Sequence, residues 1–155
     1  MVSDYTRYFS LRAFFRQYTK LQIGIVLGMI NIKQIFDEST YKGVEGGILE
    51  GFGKLFPDNT RLFVYPELDE NEEVRDFKHI KVPDHLRYLY RHLLENKFVF
   101  GIECSDVELL KIYSRKVLKM IDQGDSDWEA LLPTEIVKQI KKRKLYNYRK
   151  AKKKA

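Results

Sequence analysis

The chain has 155 residues, 44% of them hydrophobic and 14% aromatic, which suits one packed domain and argues against wholesale disorder. No apolar run approaches the roughly 20 residues that cross a bilayer, the opening MVSDYTRYFS lacks the order of a secretory signal, and Cys104 is the only cysteine. An internal disulfide is thereby excluded, and a reducing cytoplasm is the expected compartment. The net charge of +6 hides an asymmetry: residues 138–155 hold ten Lys/Arg and no Asp/Glu, whereas the remainder holds 18 Lys/Arg against 22 Asp/Glu.

The elements follow in chain order. Residues 4–20 predict a helix, with Tyr8, Leu11, Phe15 and Tyr18 at helical spacing and Phe14 widening the stripe. LQIGIVL, residues 21–27, is a short apolar run closed by Gly28 and predicts a strand buried on both faces. Asn31 is expected to cap a helix reaching Asp37. GVEGG, residues 43–47, breaks the chain before a helix through ILEGFGKLF, and Pro57-Asp58-Asn59 is a turn. RLFVY, residues 61–65, predicts a second strand, parallel to the first and joined to it by a right-handed crossover. Residues 66–83 predict an acidic surface loop. Asp84 is expected to cap a helix to Glu95 with Leu86, Leu89, Tyr90 and Leu93 inward, and FVFGI, residues 98–102, predicts a third strand. Ser105 or Asp106 starts a further helical region, and the last helix runs from Pro133-Thr134 toward Tyr146. The expected fold is α/β: a partial Rossmann-like three-layer fold with a small, mainly parallel sheet and a C-terminal helical region, one domain over 1–146 followed by a basic tail, 147–155.

Few residues announce chemistry. His85 and His92 are two helical turns apart rather than the one turn of a helical metal pair, so no metal site is expected. The acids between Glu67 and Asp76 lie in a loop without apolar surroundings, where raised pKa values are not expected. No Gly-x-Ser-x-Gly elbow and no Gly-Lys-Ser/Thr loop occurs. Gly43, Gly46 and Gly47 precede a helix, but Glu45 among them repels phosphate and favours a structural turn. Ser114 begins a helix whose first turn contains Arg115 and Lys116. That arrangement is either a phosphate seat or an ordinary N-terminus with two surface cations.

Residues 112–146, IYSRKVLKMIDQGDSDWEALLPTEIVKQIKKRKLY, resemble the late motif of the nicotinate/nicotinamide-nucleotide adenylyltransferase family. That motif reads Ile-Ser-Ser-Thr-x-Ile-Arg, then x-x-Ile-x-x-Gly, then a Leu-Val-Pro helix closing near Leu-Tyr. Ile112, Ser114, Val117, Ile121, Gly124, Leu131, Leu132, Pro133, Val137, Ile140, Leu145 and Tyr146 fall in register. Upstream, IGIVLGMINIKQIF and LFVYPELD look like two of the family's strands with their loops. The chain departs from the family where phosphates are held. Leu118 aligns with its Arg, Arg115 with its Thr, Ile30 with the acid of Gly-x-Asp, and no His-x-Gly-His segment occurs.

The resemblance implies a nucleotidyltransferase-like protein of NAD biosynthesis that represents the C-terminal half of the fold, incomplete or inactive alone. Any reaction would be adenylyl transfer from ATP with Mg²⁺ to a pyridine mononucleotide. Ser114, Arg115 and Lys116 would seat nucleotide phosphates, and Gly28 and Asn31 would lie near the pyridine nucleotide; no catalytic residue is assigned. The alternatives are a module that binds nucleic acid or an acidic protein through residues 138–155, and an interaction subunit that completes its sheet with another chain, a second copy or a missing N-terminal half. No membrane contact is expected.

Overall fold

A computed structural model describes residues 7–57 and 59–148. The chain divides between Ser105 and Asp106 into two compact units. The first unit is α/β. Its elements are α1 (Tyr8–Arg16), β1 (Ile23–Gly28), α2 (Met29–Ile35), α3 (Gly47–Leu55), β2 (Thr60–Tyr65), β3 (Glu67–Leu68), β4 (Val74–Arg75), α4 (Arg87–Glu95) and β5 (Val99–Gly101).

β1, β2 and β5 form one parallel sheet in that order. Two right-handed crossovers that step the same way across a sheet put their helices on one face. The alternation of burial agrees. Ile23, Ile25 and Leu27 of β1, Leu62 and Val64 of β2 and Val99 of β5 are buried, and they join Met29, Ile32 and Ile35 of α2, Phe52 and Leu55 of α3 and Leu93 of α4 in one core. On the other face the register aligns Val26 with Phe63 and Phe63 with Phe100. None of these three is buried, and the two rings stack at 5.5 Å.

The three expected strands form within one or two residues of their expected bounds, and they are parallel as anticipated. Four local expectations are corrected. α2 starts at Met29 with Gly28 in the N-cap position, so Asn31 lies inside the helix and does not cap it. Asp84 makes no cap bond: it opens a short 3₁₀ turn, and α4 begins only at Arg87. The loop after β2 folds into the β3–β4 hairpin, in which the Asp69 carboxylate accepts from the backbone of Asn71 and Glu73 and from Arg75. These bonds, the Glu73 amide foremost, hold the Asp69 pKa below its usual value. Tyr18, counted in the inward stripe of α1, is 74% exposed, because α1 ends at Arg16 and the chain turns away.

The second unit comprises α5 (Ser114–Gln123) and α6 (Thr134–Arg143) with short 3₁₀ segments around them. Asp106 caps the first of these by accepting from the Glu108 amide. α5 ends where Gly124 takes φ = 72°, a left-handed turn that glycine adopts without steric cost. Trp128, 1% exposed, anchors a small core with Val117, Ile121, Val137 and Ile140. Among the described residues no helix is long and apolar enough to cross a membrane.

Candidate functional site

In an open α/β sheet, ligands bind beyond the carboxyl ends of the parallel strands. At that end of β1 the chain passes through Gly28 into α2, and this short helix has a cavity on each side. One cavity, about 490 Å³, is lined by Asn31 and Gln34 of α2, by Tyr8 and Phe9 of α1, and by Asp37 and Tyr41 beyond α2. The other, about 640 Å³, is lined by Met29 and Lys33 of the same helix and by Glu67, Asp69, Arg75 and Lys81. Met29 and Lys33 are about one turn apart, whereas Asn31 and Gln34 lie on the opposite side, so the two cavities are separated by the body of α2.

The first cavity has an aromatic wall and two side-chain amides, those of Asn31 and Gln34. Phe9 and Tyr41 stack at 6.1 Å with 20° between their planes. The Tyr41 hydroxyl donates to the Ile35 carbonyl at 2.8 Å, which fixes the ring. The burial that positions Tyr41 pushes its phenol well above the ordinary tyrosine range. Burial also raises the Tyr8 phenol, and a hydrogen bond with the Asn31 side chain pulls the other way. Asp37 accepts from the Ser39 amide at 2.9 Å, and its bonds with Ser39 hold its carboxyl below the usual carboxylate range. Thr40 donates to the Gln34 backbone carbonyl, and among the described residues no hydrogen bond occupies the Gln34 amide group. A cavity of this size and mixed lining suits a small planar molecule with polar edges.

The second cavity is laced internally. Lys33 pairs with Glu67 at 3.1 Å, and Arg75 pairs with Asp69 at 2.8 Å and Glu73 at 2.9 Å. Lys33 and Arg75 are thereby largely neutralised, and among the described residues Lys81 has no ion-pair partner. Among the described residues no group of three or more His, Cys, Asp or Glu converges as a metal site. His79 pairs with Asp76 and His85 with Glu38, each at 2.8 Å, and His92 stacks on Phe98.

The residues singled out from sequence divide between the two units. Gly28 and Asn31 come together: a Cβ built on Gly28 would stand 3.8 Å from the Asn31 amide oxygen. Ser114, Arg115 and Lys116 form the exposed first turn of α5. Tyr113 occupies the N-cap position without a side-chain cap bond, and its carbonyl takes the Lys116 and Val117 amides. Ser114 also edges a groove of about 360 Å³ that is otherwise hydrocarbon apart from Tyr146, with Leu118, Ile121 and Ile136 among its walls. Leu118, where the resembled family carries its phosphate-holding Arg, therefore presents an aliphatic side chain to that groove.

Sequence reasoning missed Tyr8, Gln34, Asp37 and Tyr41. Tyr8 falls in the stripe that helical spacing assigns to the core. Its polar tip was the available signal, since a buried tyrosine hydroxyl needs a partner. No protein-family model, curated protein or solved structure matches the chain.

Proposed function

We propose that the first unit is a mononucleotide-binding α/β module and that its base site is the cavity between α1 and α2. The observation that supports this most is the meeting of Asn31, Tyr8 and Tyr41 in one cavity, with Asn31 three residues past the end of β1. A heteroaromatic ring would rest on the Phe9–Tyr41 wall, with the Asn31 and Gln34 amides and the Asp37 carboxylate at its edge. The resemblance over residues 112–146 favours a pyridine mononucleotide, related to the substrates of nicotinate/nicotinamide mononucleotide adenylyltransferases.

Adenylyl transfer by this chain alone is not part of the proposal. ATP chemistry depends on gripping and neutralising the phosphates. The turn Ser114–Lys116 supplies two cations and a helix N-terminus, but the adjoining groove is apolar. ATP would supply the adenylyl group and Mg²⁺ would be held chiefly by its phosphates, toward which Ser114, Arg115 and Lys116 would offer the first turn of α5.

The test is a titration of the full chain with nicotinate mononucleotide, NAD and ATP, repeated without residues 147–155. Saturable binding of the pyridine mononucleotide, unchanged by the deletion and weakened about tenfold or more by Asn31→Ala, is expected. Absence of binding, or equal binding by the Asn31→Ala variant, sinks the reading.

A second reading has its own observation. Lys138, Lys142, Arg143 and Lys144 lie exposed at the end of α6, continuous in sequence with the remaining basic residues of the tail. Binding of RNA or another polyanion there would fall steeply with salt and vanish on deletion of residues 138–155.

A further inference from the structure

The topology leaves one long strand bare along one side. β1 pairs with β2, and no described strand lies along its other edge. Soluble proteins guard such edges with charges, proline, bulges or brevity. β1 reads IGIVLG over six residues and has none of these devices. The side chains before, within and after it are apolar and in water: Leu21 is 77% exposed, Val26 67% and Ile30 55%. Val26 also begins the row Val26–Phe63–Phe100 across the face that the helices do not cover.

Charge decides what fits this edge. Residues 7–36 hold five Lys/Arg and no Asp/Glu. The two ends of α1 reach residues that flank β1 in sequence. Tyr8 reaches Asn31 beyond the carboxyl end of the strand, and Arg16 donates to the Leu21 carbonyl at 3.0 Å and to Asn59 Oδ1 at 2.6 Å at the amino end. Tyr8, Arg12 and Arg16 form one stripe at four-residue spacing, so Arg12 falls between these two contacts. Among the described residues Arg12 has no acceptor and no carboxylate, and its Nε is buried without a partner. Burial and the neighbouring Arg16 both lower its pKa. An N–H closed off from water and left without an acceptor is costly.

We propose that the free edge of β1 takes an extended apolar segment of a partner protein as a fourth strand, with one Asp or Glu of that segment seated on Arg12. Backbone pairing would supply most of the affinity, and the acidic residue would select the partner and fix its register. A second copy fits less well. A twofold pairing of β1 with its own copy would bring two acid-free, basic segments together, each with an unanswered Arg12.

The proposal is tested with the full chain and two short fluorescein-labelled peptides that alternate Val and Thr and differ only in a central Asp or Lys. Saturable anisotropy with the Asp peptide, slowed hydrogen exchange in β1, and at least about a tenfold loss on Arg12→Gln are expected. Val26→Glu, at an exposed position, should weaken the Asp peptide and spare the Lys peptide. Equal affinity of the two peptides, unprotected β1 amides, or full affinity in both variants would overturn it. Protection of β1 in a peptide-free chain that sediments as a dimer would overturn it too, by assigning the edge to a second copy.

Discussion

Gly51→Ala separates helix propensity from packing. Within a helix, Ala is favoured over Gly by about 1 kcal/mol, so the substitution in α3 should stabilise if local preference ruled. A Cβ on Gly51, however, would stand 2.1 Å from Tyr41 Cε1 and 2.4 Å from Cδ1. Tyr41 is 5% exposed and pinned by its bond to the Ile35 carbonyl, so the ring has nowhere near to go. Overpacking of this kind costs about 1–3 kcal/mol, and displacing the hydroxyl adds about 1 kcal/mol. After the propensity gain, a net loss of about 1–3 kcal/mol remains. Gly53 is the internal control: two residues along the same helix, its added Cβ meets nothing within 4 Å, so Gly53→Ala should gain about 1 kcal/mol. Urea unfolding followed by far-UV circular dichroism measures both, with the slope compared across variants. Tyr41→Leu should relieve Gly51→Ala, giving a coupling of at least about 1 kcal/mol in the double-mutant cycle. If Gly51→Ala equals or exceeds the parent in stability, the packing of Tyr41 against α3 is wrong, and with it the wall of the proposed base site.

Tyr90 donates to the Phe77 carbonyl, and burial, followed by the charge of Asp76, pushes its phenol up to about 12. The folded pKa lies above the unfolded value near 10, so this stabilisation is complete below pH ~10 and is lost as pH rises toward about 12. The loss should be on the order of 2 kcal/mol by that point. Tyr90→Phe should be less stable at neutral pH and show a shallower alkaline decline; an unchanged alkaline limb would contradict the assignment. Lys97 closes α4 with φ = 56°, while its amide and that of Phe98 bond back to the Leu94 and Leu93 carbonyls at 3.1 and 2.9 Å. Glycine adopts that backbone without penalty, so Lys97→Gly should raise the urea midpoint by a gain of about 0.5–1 kcal/mol.

Regular structure was legible where one signal ruled. The β1 and β2 runs are too short and too β-branched for helices, and the intervening length demands a crossover, which gives parallel pairing. α5 carried both its start after Tyr113 and its glycine stop. Legibility failed where side chains bond locally. Asn31 looks like a cap in sequence, yet the chain already enters its helix at Gly28 and frees the amide for Tyr8. The β3–β4 hairpin depends on one carboxylate, Asp69, gathering two amides and a guanidinium, which no periodicity reports. The strand expected to be buried on both faces is covered on one, because composition reveals how apolar a strand is and not what lies over it. The base-site cavity joins α1 to residues more than twenty positions later, and Tyr8 and Tyr41 meet only in three dimensions.

Trp128 is the sole tryptophan, sealed in the core of the second unit with Tyr148 edge-on at 6.1 Å. The first unit has tyrosines and phenylalanines but no indole. Selective excitation of the indole therefore reports the melting of the α5–α6 unit against a silent background, while tyrosine emission is weighted toward the sheet unit. The chain contains an intrinsic two-channel fluorimeter, and every variant above can be assigned to the half it damages without adding a label.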